Sequence, residues 1–149
     1  MTVNYYGRIF ALALLLVSLL LTSANVLAEQ LVLITFNQEI QALRTNQVKM
    51  LYRGRLSHID GLPTRLMDLP KKSKHRDQFY RLLLNKSPSQ MNAIWAKQSF
   101  SGKAIAPFEI AQESKQEIIS WLKQNKNGVA YVPSHLVPED AYVIYELQP

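Results

Sequence analysis

The first 28 residues constrain this chain most strongly, because they have the organisation of a secretory signal peptide. One cation, Arg8, precedes an apolar run from Ile9 to Leu21, and small or apolar residues then lead to Ala28. This order predicts export and cleavage after Ala28. An uncleaved membrane anchor is the alternative, but the run has 13 residues, whereas a helix that spans a bilayer needs about 20.

Cleavage there leaves residues 29–149, a length that suits one domain with its own hydrophobic core. The whole chain is 48% hydrophobic and 19% charged, a composition that excludes a wholly disordered protein. It contains no cysteine, which excludes a disulfide scaffold, a thiol nucleophile and a cysteine-based metal site. We therefore expect a signal peptide at 1–28 and a single periplasmic domain at 29–149.

The charge balance favours an anionic partner. The sequence has 17 Lys and Arg against 11 Asp and Glu, a net charge of +6, and such an excess attracts anions without specifying a fold. Nucleic acid is not the expected partner, because an exported protein rarely meets it and the sequence has no motif of a nucleic-acid-binding class.

The apolar periodicity predicts an alternation of strands and helices. Serines that can cap a helix precede three apolar helical patterns, and the third serine, Ser114, forms a predicted capping box with Glu117. The predicted elements are a central strand from Leu31, a helix capped by Thr45 and stopped at Gly54, a strand at Leu62–Leu69 after an Asp60-Gly61 turn, helices beginning at Ser73, Ser87 and Ser114, and strands at Val129–Val132 and Tyr142–Leu147. This order predicts an α/β domain with a small mixed β-sheet flanked by helices.

Large apolar side chains at helical spacing are expected to form the core of this domain. For four of the aromatic residues among them, Tyr52, Trp95, Phe100 and Trp121, a ligand-binding cage is the minority interpretation. The set comprises Tyr52, Phe79, Leu82, Leu83, Met91, Ile94, Trp95, Phe100 and Trp121.

The densest charged feature is the segment from Lys71 to Arg76, with four cations in six residues at a predicted helix start. Cations there oppose the helix dipole. An anion held by the free N–H groups of the first turn, the Ser73 hydroxyl and the flanking side chains would offset this conflict. The alternative is a solvated run of charges, screened by water and salt.

Other kinds of site have little support. The three histidines, His58, His75 and His135, lie too far apart along the chain to form a helical ligand pair, so no metal site is expected. No Gly-x-Ser-x-Gly motif frames a nucleophile and no glycine-rich phosphate loop is present. We therefore expect no enzyme activity, no catalytic residues and no cofactor.

An ordered set of short motifs over residues 31–134 resembles the phosphate-binding proteins of ABC phosphate importers, in a short single-lobe form. The set comprises Thr45–Gly54, Asp60-Gly61-x-Pro63, Arg76–Tyr80, Lys86–Gln90, Trp95, Phe100–Lys103, Pro107 and Gly128–Val132. The resemblance implies one lobe of a type II periplasmic binding protein. It also places Ser73 where the family has a phosphate-contacting serine, with Lys72 and Lys74 in place of the family's flanking glycines.

The resemblance implies a periplasmic substrate-binding protein that takes part in phosphate transport and binds phosphate or a similar oxyanion without chemistry. Ser73, Lys74, His75 and Arg76 are the predicted ligand-binding residues. The family closes two lobes on its ligand, so the missing wall would come from a second copy of the chain or from a membrane partner. The alternative is an interaction module that has lost the ligand and docks on a periplasmic sensor, porin or transporter.

Overall fold

The structure, a computed structural model, describes residues 29–148. The predicted signal peptide lies outside these residues. Within them, none of the helices has both the length and the apolar character needed to cross a membrane.

Seven strands and four α-helices follow one another in residues 29–148. They are β1 (Leu31–Thr35), α1 (Thr45–Tyr52), β2 (His58–Ile59), β3 (Leu62–Pro63), β4 (Arg65–Asp68), α2 (Lys74–Leu84), α3 (Pro88–Phe100), β5 (Phe108–Glu109), α4 (Lys115–Gln124), β6 (Gly128–Pro133) and β7 (Tyr142–Glu146), with a short 3-10 helix at Ser134–Leu136. Strands β2 and β3 form a separate hairpin. Its turn consists of Asp60 and Gly61, both with positive φ, the conformation of a two-residue hairpin turn.

The main sheet has five strands in the order β5-β4-β6-β1-β7. Strand β4 pairs in parallel with β5 and β6, whereas β1 pairs antiparallel with β6 and β7. The sheet is therefore mixed, as predicted. Every residue of β1 and β6 is buried, which fits strands that are covered on both faces of a sheet.

Helices lie on both faces of this sheet. On one face, Tyr131 of β6 stacks on Phe79 of α2, with ring centroids 3.7 Å apart. On the other, Gly128 approaches Trp121 of α4 so closely that a Cβ at residue 128 would lie 2.8 Å from the indole. Residues three apart on a strand point to opposite faces, so the chain forms an α/β/α sandwich. Within the described residues, the core cluster lies between Leu31 and Leu147.

The three predicted serine caps are present. Ser73, Ser87 and Ser114 each accept a hydrogen bond from the backbone N–H three residues later. The capping box predicted at Ser114 is only half formed. The Ser114 hydroxyl accepts from Glu117 N–H, but the Glu117 carboxylate accepts from the N–H groups of Ala111 and Gln112 instead of that of Ser114. The prediction that Thr45 caps α1 is also wrong. Arg44 is the N-cap residue, and its N–H donates to the Gln47 side chain.

Other local predictions need correction. The predicted strand at Leu62–Leu69 is divided at Thr64, between β3 and β4. Phe100, expected in the core, is 98% exposed, and Leu82 is 44% exposed. Helical spacing shows which residues share a face of a helix. It does not show whether another element covers Phe100 or Leu82.

Candidate functional site

Arg76, in the first turn of α2, is buried, and both of its Nη atoms have acceptors. Its Nη1 donates to the Leu69 carbonyl at 2.9 Å and to Glu109 Oε2 at 2.8 Å. Its Nη2 donates to Asn92 Oδ1 at 3.0 Å and lies 3.0 Å from Asp68 Oδ2. The guanidinium therefore joins the ends of β4 and β5 to helices α2 and α3.

Burial of the Arg76 guanidinium opposes its charge, but the attraction of Asp68 and the hydrogen bond to Glu109 prevail and raise its pKa. Arg76 thus stays fully charged. Of its N–H groups, the one on Nε is buried and has no hydrogen-bond partner within residues 29–148. A buried donor without a partner is unfavourable, so an acceptor that reached Nε would be stabilised there.

Asp68 closes β4 and is held by two tyrosine hydroxyls. Tyr80 donates to Oδ2 at 2.8 Å, and Tyr131 donates to Oδ1. Burial raises the pKa of the Asp68 carboxyl, while Arg76 and the two hydroxyls act in the opposite direction. Burial and the nearby Asp68 charge raise the pKa of both tyrosines well above 10.0, so they remain neutral donors.

A cleft of about 360 Å³ opens beside this network. We call it the Arg76 cleft. Its polar lining residues are Asp68, Lys71, Arg76, Asn92, Ser99 and Glu109, and Trp95, Ala96, Ala106 and Pro107 complete the wall. The cleft lies at the carboxyl ends of the parallel strands β4 and β5, which is the edge where open α/β sheets bind ligands.

Of the four predicted ligand-binding residues, only Arg76 lines this cleft. Ser73 lies at the entrance to α2, where its hydroxyl accepts from Arg76 N–H at 3.1 Å as the helix cap. Lys74 is exposed. The structure therefore does not bring the four side chains together around one point, and their role in binding an anion stays a prediction.

His75 is buried on a different side of α2, among acidic partners. Its Nδ1 contacts Glu113, and its Nε2 lies 3.3 Å from Glu29 Oε2. Glu29 also contacts His135, whose hydrogen bond is the main reason that the pKa of Glu29 is lowered, against a smaller opposing effect of burial. This cluster ties residue 29 to the folded domain. No group of metal-ligating side chains suited to an ion occurs within residues 29–148.

Sequence reasoning missed most of the cleft. Asp68 had a usable signal, because an acidic residue inside the apolar run Leu66–Leu69 is expected to need a buried partner. Asn92 and Glu109 had none, since they reach Arg76 from two other elements and only the fold brings them there.

Comparison with known proteins defines the fold but not the family. No protein-family model matches the chain, and no curated protein matches its sequence significantly. Two solved structures share its fold with a TM-score of 0.58 each. One is a provisionally assigned phosphate ABC transporter substrate-binding protein with bound phosphate from Clostridium perfringens, at 18% identity over 78% of this chain. The other is an ABC-type phosphate transport receptor from Vibrio cholerae, at 13% identity over 78% of this chain.

The chain has the fold of one part of a periplasmic binding protein, as predicted. It spans 44% and 45% of the two matched chains, which is less than half of each.

Proposed function

We propose that the protein is a periplasmic solute-binding module that holds an oxyanion, with phosphate as the first candidate, and performs no chemistry on it. The observation that carries the proposal is the Arg76 cleft, which joins a fully charged, buried guanidinium to an open volume of about 360 Å³. The shared fold supports the same ligand class, since one matched protein holds phosphate.

The donors of the cleft suit an anion. Arg76 Nε is a buried donor without a partner in the described chain, and Lys71 contributes a second cation from the exposed loop before α2. The Asn92 amide group is a further donor, because only its oxygen is bonded to Arg76. The N-terminus of α2, with Ser73 and Lys74, adds a favourable field.

The acceptors of the cleft favour an anion that carries its own proton. Glu109 and Asp68 both line the wall, and an ionised carboxylate can only accept hydrogen bonds. Hydrogen phosphate has one O–H group that can donate to such an oxygen, whereas sulfate has none at neutral pH. We therefore expect phosphate to bind in preference to sulfate.

The proposal assigns His75 a different role. Both of its ring nitrogens face carboxylates, Glu113 and Glu29, so its function is to hold residue 29 and α2 in place rather than to bind the ligand.

The test is the thermal unfolding of residues 29–149 in phosphate, sulfate and chloride of equal ionic strength. A ligand that binds only the folded state raises the melting temperature with its concentration. We expect phosphate up to about 10 mM to raise it, and sulfate to raise it less. The Lys71→Gln variant should reduce the phosphate effect, and Lys72→Gln is the matched control because Lys72 is a neighbouring exposed lysine outside the cleft. No phosphate-specific rise, or an equal rise in both variants, contradicts the proposal.

A second function is favoured by one observation. The carboxylates of Asp68 and Glu109 already neutralise Arg76 within the protein, as expected of a module that has lost its ligand and docks on a periplasmic sensor, porin or transporter. This function predicts no anion-specific rise in melting temperature. If instead a second copy of the chain completes the cleft, phosphate will promote dimer formation, which sedimentation velocity can detect.

A further inference from the structure

One side of the molecule carries most of its net charge. We call it the Phe100 face and define it as residues 53–66, from the end of α1 into β4, together with residues 95–108, from α3 into β5. These segments contain five cations and one acid, whereas the rest of the described chain has eleven cations and ten acids. The five cations are Arg53, Arg55, Arg65, Lys97 and Lys103.

The two segments form one continuous surface. Gly54 lies against α3, where a Cβ would be only 2.8 Å from the Trp95 ring and 3.2 Å from Gln98. A groove of about 400 Å³ runs between the segments, with Leu56, Arg65, Trp95 and Ile105 among its lining residues. Arg65 of the first segment therefore lines the same groove as Ile105 of the second.

Apolar side chains protrude from this face. Phe100 is 98% exposed and Ile105 is 67% exposed, and the loop between them contains Lys103 and no acid. Isolated exposed apolar residues are common, but here Lys97 lies three residues before Phe100 on α3, a spacing that makes side chains neighbours on a helix surface. Exposed apolar side chains next to cations favour an interaction site.

The cations of the face are not neutralised by the protein. None of the five forms an ion pair with a carboxylate of residues 29–148. The same holds for nine of the eleven other lysines and arginines in these residues, all except Arg76 and Arg81, so the face is distinguished by its low number of acids. The charge of the Phe100 face is therefore directed to anions outside the molecule.

We propose that the Phe100 face binds the surface of an anionic phospholipid membrane. Phe100 and Ile105 enter the headgroup region, where apolar side chains are buried without crossing the bilayer. The surrounding lysines and arginines contact lipid phosphates, each adding to the attraction.

Two features favour a lipid surface over an acidic segment of a protein. Phe100 stands clear of the groove, so a segment seated in the groove would leave it in water, whereas a soft lipid layer buries protruding side chains. The cations also come from three separate stretches, at Arg53–Arg55, Arg65 and Lys97–Lys103. Charge spread in this way matches a field of many headgroups rather than one short peptide.

This inference does not depend on the proposed function, because none of these cations lines the Arg76 cleft. If the protein does not bind phosphate, the membrane inference is unaffected. If it does not bind vesicles, the proposed oxyanion binding is unaffected.

The experiment is flotation of residues 29–149 with vesicles. One set contains equal parts of phosphatidylglycerol and phosphatidylcholine, and the other contains phosphatidylcholine alone. All proteins lack residues 1–28, so the apolar N-terminal segment cannot contribute. We expect binding to the anionic vesicles that weakens with added salt, and little binding to phosphatidylcholine.

Two double variants test the face itself. Phe100→Ser with Ile105→Ser removes the apolar contact, and Lys97→Gln with Lys103→Gln removes two charges. Each should weaken binding to the anionic vesicles by about tenfold or more. Leu82→Ser with Val143→Ser is the apolar control, since both residues are about half exposed outside the face. Lys123→Gln with Lys126→Gln is the charge control, because both lysines are exposed at the end of α4.

Three results would overturn the inference. The first is the absence of binding to anionic vesicles, as expected if the true partner is an acidic protein. The second is an equal effect of the face variants and their controls, which would indicate attraction by net charge alone. The third is a dimer in solution that the Phe100→Ser, Ile105→Ser variant dissociates, with no vesicle binding, because the face is then an interface between two copies. Circular dichroism melting checks that every variant is folded.

Discussion

Arg76 and Asp68 form an ion pair in the wall of the Arg76 cleft, with 3.0 Å between Nη2 and Oδ2 and both side chains almost fully buried. A buried pair is a weak stabiliser as a whole, but removing one partner leaves the other charge without compensation. The two residues are therefore tightly coupled, and the stability of the domain depends on this link between α2 and β4.

Replacing Asp68 by alanine should strongly destabilise the domain. The change leaves Arg76 with Glu109 as its remaining carboxylate in the described chain and removes the acceptor of the Tyr80 and Tyr131 hydroxyls. We expect the free energy of unfolding to fall by about 3–5 kcal/mol, measured by urea denaturation. The control is Asp77→Ala, which removes the partner of the exposed Arg81 and should have a much smaller effect. Equal losses of unfolding free energy in the two variants would show that burial does not increase the cost of removing Asp68.

Replacing Ser73 by alanine should cost about 1 kcal/mol of stability, because the helix cap of α2 is lost. Ser114→Ala is a matched variant, since Ser114 caps α4 in the same way. Urea denaturation should give similar losses for both. In phosphate, only Ser73→Ala should also reduce the ligand-induced rise in melting temperature. If both variants respond to phosphate as the unmodified protein does, Ser73 acts as a cap alone.

Replacing Gly54 by alanine should reveal the close contact between α1 and α3. Gly54 has a φ of 67°, and an added Cβ would lie 2.8 Å from the Trp95 ring. Gly102 has nearly the same φ, 68°, but nothing lies within 4 Å of its Cβ position. We expect Gly102→Ala to cost about 1 kcal/mol, from the left-handed backbone alone. Gly54→Ala should cost at least about 2 kcal/mol more, because the ring must move. Thermal or urea unfolding of both variants measures the difference, and similar values would mean that Trp95 yields easily.

Glu29 should contribute to stability in a pH-dependent way. Its pKa is held below the ordinary value of 4.5, mainly by the hydrogen bond to His135. A carboxyl whose pKa is lowered by folding stabilises the fold above the unfolded pKa, and this contribution is lost as the pH falls through the folded pKa. Glu29→Gln should therefore be less stable than the unmodified protein at about pH 5.5, and the difference should shrink towards about pH 3. Urea denaturation at the two pH values tests this, and a difference that grows in acid contradicts the assignment.

Much of the fold could be predicted from the sequence because its signals are local. Ser73, Ser87 and Ser114 each begin a helix through contacts within three residues, and the Leu31 run is apolar enough to be recognised as a strand buried on both faces. Phe100 shows that such local signals do not predict tertiary contacts. It belongs to an apolar helical pattern, yet no other part of residues 29–148 covers it.

The candidate site was harder to predict, because its contacts join residues that lie far apart in the sequence. Arg76 is conspicuous in a basic run, but its chemistry is decided by Asn92 and Glu109, which are 16 and 33 residues away along the chain. His75 lies next to it and yet faces another side of α2, towards Glu113. Consecutive helical residues point about 100° apart, so a run of charges does not define a single site.

The pairing of β1 has a consequence for how the polypeptide folds as it is made. Leu31 aligns with Pro133 and Val32 with Glu146, so both neighbours of this strand are translated about a hundred residues after it. A nascent chain that ends before β6 lacks both partners of β1 and cannot complete the sheet. The five-stranded sheet can therefore be completed only after β6 and β7 have been synthesised.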